Sequence, residues 1–382
     1  METVVDFKEY VASVEARAEY VRPLAFALGV RRCKNGKTLD VSYPVVNFSE
    51  NFGTAAVLID VLKVQDFKNG YHPVSLENLS EIYSHFSPFH GDNGKHPNIE
   101  TINALIDNYT TSNGYADIEI MAYFLFDRAQ AIESAEEAYF KLHCLSTRKA
   151  EPHSLNLDGL FGKLNNVAWT SKGPMLPEDV AVQSVKHIGS HSPLLVTHVD
   201  KFPYMINYHI PTGIRIASGS QVRLGAYLGE GTTVMPSGYI NFNAGTKGTS
   251  MVEGRISAGV VVDKDSDVGG GASIMGTLSG GNKKVISIKR IAKYIASLAI
   301  AASLLLIFVL KTNPKTVTFD SLATTEIEQF VESGLIDINI ENLAIAFSDI
   351  EFPTKNITTS ISDEEVLAYL TIEDLETIIY ED

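Results

Sequence analysis

Hydrophobic residues recur at a fixed interval of six near the middle of the chain. Ile210, Ile216, Val222, Leu228, Val234 and Ile240 form one series. Ile256, Val262, Val268 and Ile274 form a second, sixteen residues beyond the first. The phase breaks once, between Asn241 and Arg255. Four residues after most of these positions stands a small or compact residue, among them Ala226, Thr232, Gly238, Ala244 and Ala272. An α-helix cannot keep a period of six on one face, because six residues rotate it through about 600°. A hairpin strand alternates at two. The pattern predicts a triangular coil with one flat side per hexad and three hexads per turn. The large apolar residue points inward, and successive coils pair as parallel strands. The predicted fold for 196–288 is a left-handed parallel β-helix, an exception to the right-handed crossover rule.

Residues 1–195 predict a mixed α/β domain. DIEIMAYFLFDRAQAIESAEEAYFKLH carries apolar residues at helical spacing, with Ala and Glu favouring a helix. VVNFSENFGTAAVLIDVL mixes β-branched runs with a helical end, and SHFSPFHGDNGKHPNIE has the composition of a loop. No nucleophile or phosphate-loop motif falls in this half. His187 and His191 stand four apart, but no third ligand accompanies them, so no metal site is expected. The first residues, METVVDFKEYVASVEARAEY, lack the basic start and apolar core of a secretion signal. Cys33 and Cys144 have no metal or disulfide spacing, which suits a reducing compartment.

Past Ile288 the character changes. Lys289, Arg290 and Lys293 precede an apolar run of seventeen residues, Tyr294 to Leu310. A transmembrane helix is expected over 289–311, with the membrane met at 294–310 and the N-terminal side in the cytoplasm. Residues 312–382 are expected to form an acidic, mostly helical tail outside the inner membrane. From Thr316 onward sixteen residues are acidic and one, Lys355, is basic. The net charge of −15 thus belongs to the tail, the body is neutral, and no nucleic-acid partner is expected.

MVEGRISAGVVV and DVGGGASIMGTLSGG carry a resemblance. The stretch from Val199 to Ile288 resembles the tetrahydrodipicolinate N-succinyltransferases in their long form, and the N-terminal half resembles that family's variable domain more loosely. The resemblance implies a homotrimer with active sites between neighbouring β-helices. It also implies transfer of a succinyl group from succinyl-CoA, as co-substrate, to tetrahydrodipicolinate in lysine and diaminopimelate biosynthesis. By the same resemblance Glu253 is the catalytic carboxylate, nucleophile or base, and Gly276 offers its backbone N–H to the thioester oxygen. Arg215 matches an arginine on a substrate carboxylate, and Arg255, Gly270 and Ser273 match succinyl-CoA contacts. Read without the family, Glu253 and Arg255 form a rim ion pair, and the glycines at 269–271 are corner residues. Acidic metal ligands of some members align with Ser220 and Ser237, so no metal is expected.

The family continues past VISI with further hexads; this chain does not. The expectation is therefore a succinyltransferase truncated near residue 288 and fused to an unrelated single-span membrane segment, with activity threatened by the lost coils. The alternative is a non-catalytic single-span membrane protein with a vestigial β-helix domain.

Overall fold

The computed structural model describes residues 2–91 and 94–276. The expected join near residue 288, the span over 289–311 and the acidic tail over 312–382 lie outside the described residues. Among the described residues no helix is long and apolar enough to cross a membrane.

The first half is built on an antiparallel sheet. Its strands are β1 (Ala25–Lys34), β2 (Lys37–Ser42), β3 (Asn47–Phe48), β4 (Gly70–Pro73) and β5 (Asp117–Leu125). The order is β2-β1-β5-β4, with β3 pairing the start of β1. Helices α1 (Val4–Glu15), α2 (Phe52–Val61), α3 (Leu76–His85) and α4 (Pro97–Asp107) accompany it. Phe26, Leu28, Ile120, Ala122 and Phe124 point from the sheet into one core with α2, α3 and α4. Alternate residues Ala25, Ala27, Met121, Tyr123 and Leu125 point to the opposite face, against α5 (Ala135–Ser146). Strand alternation thus feeds two cores.

Two expectations change here. The helical spacing read across 117–143 holds only for its second half. IEIMAYFL is a central strand flanked by β1 and β4, buried on both faces, so it is apolar without alternation. The loop read over 84–100 ends early, because Pro97 opens α4 from the first helical position.

Helix α5 is buried along nearly its whole length, yet carries Glu136, Glu137, Lys141 and His143. Each charge is paired. Lys141 bonds Glu137 at 2.8 Å and donates to the carbonyls of Gln130 and Asn156 at 2.7 and 2.9 Å. Glu136 accepts from Arg31 at 2.8 Å and Thr38 at 2.7 Å. Burial alone would raise the Glu136 carboxyl; the Thr38 and Arg31 hydrogen bonds outweigh it and hold it below its ordinary value. His143 donates from Nδ1 to the Tyr139 carbonyl at 2.7 Å, and its Nε2 accepts from the Tyr43 N–H at 3.3 Å.

A small antiparallel sheet follows: β6 (Val167–Thr170), β7 (Gly173–Met175) and β8 (Val196–Asp200), with α7 (Val180–His187) between the last two and the single turn α6 (Leu160–Lys163) before them. The helix ends at His187, so His191 does not share its face.

The second half is a parallel β-helix with three sheets. The first stacks Arg215–Ile216, Thr232–Val234 and Ser250–Val252. The second stacks Tyr227–Leu228, Gly245–Thr246 and Val261–Val262. The third stacks Tyr239–Ile240, Arg255–Ile256 and Ser273–Ile274. Val222, Leu228, Val234, Ile240, Val252, Ile256, Val262 and Val268 fill the prism. Ile210 does not join them; it is 68% exposed, and the inward series begins with Ile216 at its margin.

The phase break is narrower than the sequence suggests. Thr246 and Val252 continue the interval of six, and both are fully buried. Thr246 escapes a hydrophobic search because it is polar; its hydroxyl is satisfied by the Thr232 hydroxyl at 2.7 Å. The whole break is one corner, Val252 to Ile256, four residues instead of six. The register agrees, since Ile216, Val234 and Val252 pair at intervals of eighteen, whereas Val252 meets Val268 at sixteen. Gly254 makes the shortcut possible. A Cβ there would lie 2.5 Å from the Ala272 carbonyl oxygen and 2.6 Å from that of Gly269.

Two predictions follow from this packing. Gly254→Ala is expected to cost about 1–3 kcal/mol, because backbone rather than a flexible side chain blocks the new methyl; chemical denaturation of the full chain measures it, and an unchanged midpoint refutes it. Burial also pushes His143 down from 6.5 to about 4. Its neutral form therefore supports the fold fully above pH 6.5, and that support is lost as pH falls towards 4, by at most ~1.4 kcal/mol per unit. The stability of His143→Gln is expected to fall less steeply than that of the parent between pH 6.5 and 4.

Candidate active site

The shortened corner presents Glu253. Its backbone is fixed: the N–H groups of Glu253 and Gly254 donate to the Val268 carbonyl at 2.8 and 3.1 Å, and Ser237 Oγ donates to the Glu253 carbonyl at 2.9 Å. Among the described residues no hydrogen bond or ion pair holds the Glu253 carboxylate. The side chain reaches towards the next coil, where a Cβ on Gly270 would lie 3.3 Å from Glu253 Oε2. A side chain at 270 would crowd this carboxylate, and glycine leaves the space above it open.

Arg255 lies two residues on, on the outward side of the third sheet, with Tyr239 below it and Ser273 above it in register. The rim ion pair with Glu253 does not form. Arg255 instead places its guanidinium over the Tyr239 ring, 5.7 Å from the centroid. A second guanidinium, that of Arg223, stands 5.9 Å from the same ring. Burial raises the Tyr239 phenol above its ordinary value, with Arg223 and Arg255 opposing.

The structure therefore gathers Glu253 with Gly270, and Arg255 with Ser273, around one edge of the prism. Gly276 and Arg215 lie apart. Gly276 belongs to the following corner, where a Cβ would meet the Ala258 carbonyl oxygen at 2.8 Å and Val260 Cγ2 at 2.9 Å. Coil packing alone explains a glycine there. Arg215 is exposed on the first sheet, its guanidinium 3.7 Å from Met235 Sδ. Tyr239 is the feature the sequence reading passed over. The signal was present, because outward residues stack at the coil repeat: Tyr239 precedes Arg255 by sixteen positions, the offset of the shortened turn.

With this geometry in place, the comparisons with known proteins are specific. Residues 5–162 match the family model for the tetrahydrodipicolinate N-succinyltransferase N-terminal region, and residues 164–204 match that for its middle region. The N-terminal half, whose resemblance is the looser one in sequence, therefore carries a clear family signature. The chain is 58% identical over 156 residues to the 2,3,4,5-tetrahydropyridine-2,6-dicarboxylate N-succinyltransferase of Vibrio cholerae, a match spanning 41% of this chain and 46% of that protein. It is 40% identical over 306 residues to the enzyme of that name from Sulfurimonas denitrificans, spanning 75% of each chain. A crystal structure of a Campylobacter jejuni protein, titled a 2,3,4,5-tetrahydropyridine-2-carboxylate N-succinyltransferase, superposes with a TM-score of 0.66 at 35% identity over 74% of each chain. Identity at this level over three quarters of a relative, with two family models matched in order, establishes that the chain belongs to the tetrahydrodipicolinate N-succinyltransferase family.

Proposed function

We propose that the chain transfers the succinyl group of succinyl-CoA to the amino group of ring-opened tetrahydrodipicolinate, a step towards lysine and diaminopimelate. The observation that carries this reading is the unpaired Glu253 carboxylate at a corner shortened by two residues, in a chain of this family. An amine attacking a thioester must lose a proton as the C–N bond forms and the C–S bond breaks. Glu253 takes that proton, and the departing CoA thiolate finally receives one. Gly276 offers its N–H to the carbonyl oxygen as negative charge develops there. The donor set above Glu253 suits an anionic acyl donor: a guanidinium at Arg255, a hydroxyl at Ser273, and a backbone without Cβ at Gly270. Arg215 receives a carboxylate of the acceptor.

The reading includes the homotrimer that the family resemblance implies, with active sites between neighbouring β-helices. Gly276 rests on Ala258, five residues along the chain from Glu253 and separated from it by one side of the triangle. In such a homotrimer, Glu253 of one copy would work with Gly276 of the next.

The test is thiol release from succinyl-CoA that depends on added tetrahydrodipicolinate. Glu253→Gln keeps the shape and removes the base, and is expected to lower kcat by about 10²–10⁴-fold. Equal turnover in the variant rejects the role of Glu253. No acceptor-dependent release by the parent protein rejects the activity.

A further inference from the structure

Arg223, Tyr239 and Arg255 form a stepped outward ladder: Tyr239 lies directly under Arg255 in register, and Arg223 lies under Asn241, two residues along from the Tyr239 column. It begins with Asp200, the last residue of β8, whose carboxylate bonds Arg223 at 2.5 Å. The main-chain carbonyl of Asp200 accepts from Trp169 Nε1 at 3.0 Å, which ties this anchor to the small sheet. Arg223 is fixed further by Asn241 Oδ1 at 3.3 Å and by the Phe202 ring, 5.0 Å from the guanidinium to the centroid. Tyr239 then stands between two guanidiniums, with Arg223 at 5.9 Å and Arg255 at 5.7 Å.

The two arginines differ in one respect. Arg223 is neutralised by Asp200. Arg255 is exposed, and among the described residues no carboxylate pairs with it. A guanidinium lying over a ring is held by its face, while its N–H donors point outward in the plane and stay free for an oxyanion. Without the ring, Arg255 would be a long exposed side chain that loses rotamer freedom on each binding event.

We infer that Tyr239 and Arg223 are positioning residues that preset Arg255 to receive an anionic group of the acyl donor. The inference rests on the acyl-donor role proposed above for Arg255. The shared chemistry is a carboxylate or phosphate oxygen, supplied either by the succinyl group or by CoA.

The experiment is calorimetric titration of the full-length protein with succinyl-CoA, with CoA lacking the acyl group, and with the amine acceptor. Tyr239→Leu is expected to weaken succinyl-CoA binding by about 5–20-fold, and Tyr239→Phe by no more than about twofold, since the ring face is retained. Arg223→Met, which removes the second guanidinium beside the Tyr239 ring, is expected to show a smaller loss in the same direction. A parallel loss for CoA identifies a phosphate as the anion; a loss confined to succinyl-CoA identifies the succinyl carboxylate. Either supports the ladder, provided acceptor affinity stays within about twofold. Equal losses for donor and acceptor would mean that Tyr239 only supports the fold, and would overturn the inference. Donor binding unchanged in Tyr239→Leu but weakened in Arg255→Ala overturns the ladder and spares the role of Arg255. Unchanged binding in Arg255→Ala overturns both.

Discussion

Each coil of the β-helix lies directly on the one before it, inward side chain over inward side chain, at the roughly 4.8 Å spacing of paired strands. Ile216, Val234, Val252 and Val268 make one such column, and Val222, Ile240 and Ile256 another. Close stacking leaves no volume at the points where coils touch. A Cβ on Gly245 would fall 1.8 Å from the Tyr227 carbonyl oxygen, and one on Gly254 would strike two carbonyls of the next coil. The coil therefore cannot absorb a change of length gradually. Two residues fewer must be lost at a single corner, and they are lost between Val252 and Ile256. Glu253 is held there by a backbone whose N–H groups are already committed to Val268. Its position follows from the stacking and not from contacts of its own carboxylate.

Helix α5 joins this coil to the sheet. Leu142 presses on Gly225, and Ser146 Oγ accepts the Gly225 N–H at 2.8 Å. A helix buried on all sides would ordinarily be apolar throughout. Here Glu137 and Lys141 pair one turn apart, and Lys141 also satisfies two loop carbonyls that would otherwise be stranded. Such a pair adds little net stability against an apolar replacement, yet removing one partner leaves a buried charge. Its effect is to fix the helix against the loop containing Gln130 and Asn156, and so to fix how the sheet meets the coil.

The sequence discloses these features unevenly, for physical reasons. A period of six has few structural solutions, so the β-helix is legible from its inward residues alone. Its break is read too widely because Thr246 occupies a core position with a hydroxyl, and a search for apolar residues skips it. Strand β5 reads as helix because burial on both faces erases the alternation that marks a strand. Ile210 keeps the interval by coincidence and lies outside the prism. The chemistry proposed for Glu253 is legible only through the family motif. Its structural setting, an unpaired carboxylate on a shortened corner, needs the register of three coils to be seen.

The corner also settles how two opposite charges avoid each other. Glu253 and Arg255 are separated by one residue, a spacing at which a flexible loop would let them pair and quench both. Gly254 is clamped beneath the carbonyls of Gly269 and Ala272, so the chain turns sharply between them. Glu253 is left at the corner, while Arg255 enters the third sheet and lies over Tyr239. Aromatic contact orients a cation without neutralising it, whereas a carboxylate partner would do both. The roles proposed for Glu253 and Arg255, a proton and an anion received at neighbouring points, require both groups unpaired. The four-residue corner and the aromatic ladder provide this by geometry, from two elements that owe their positions to the same stacking of coils.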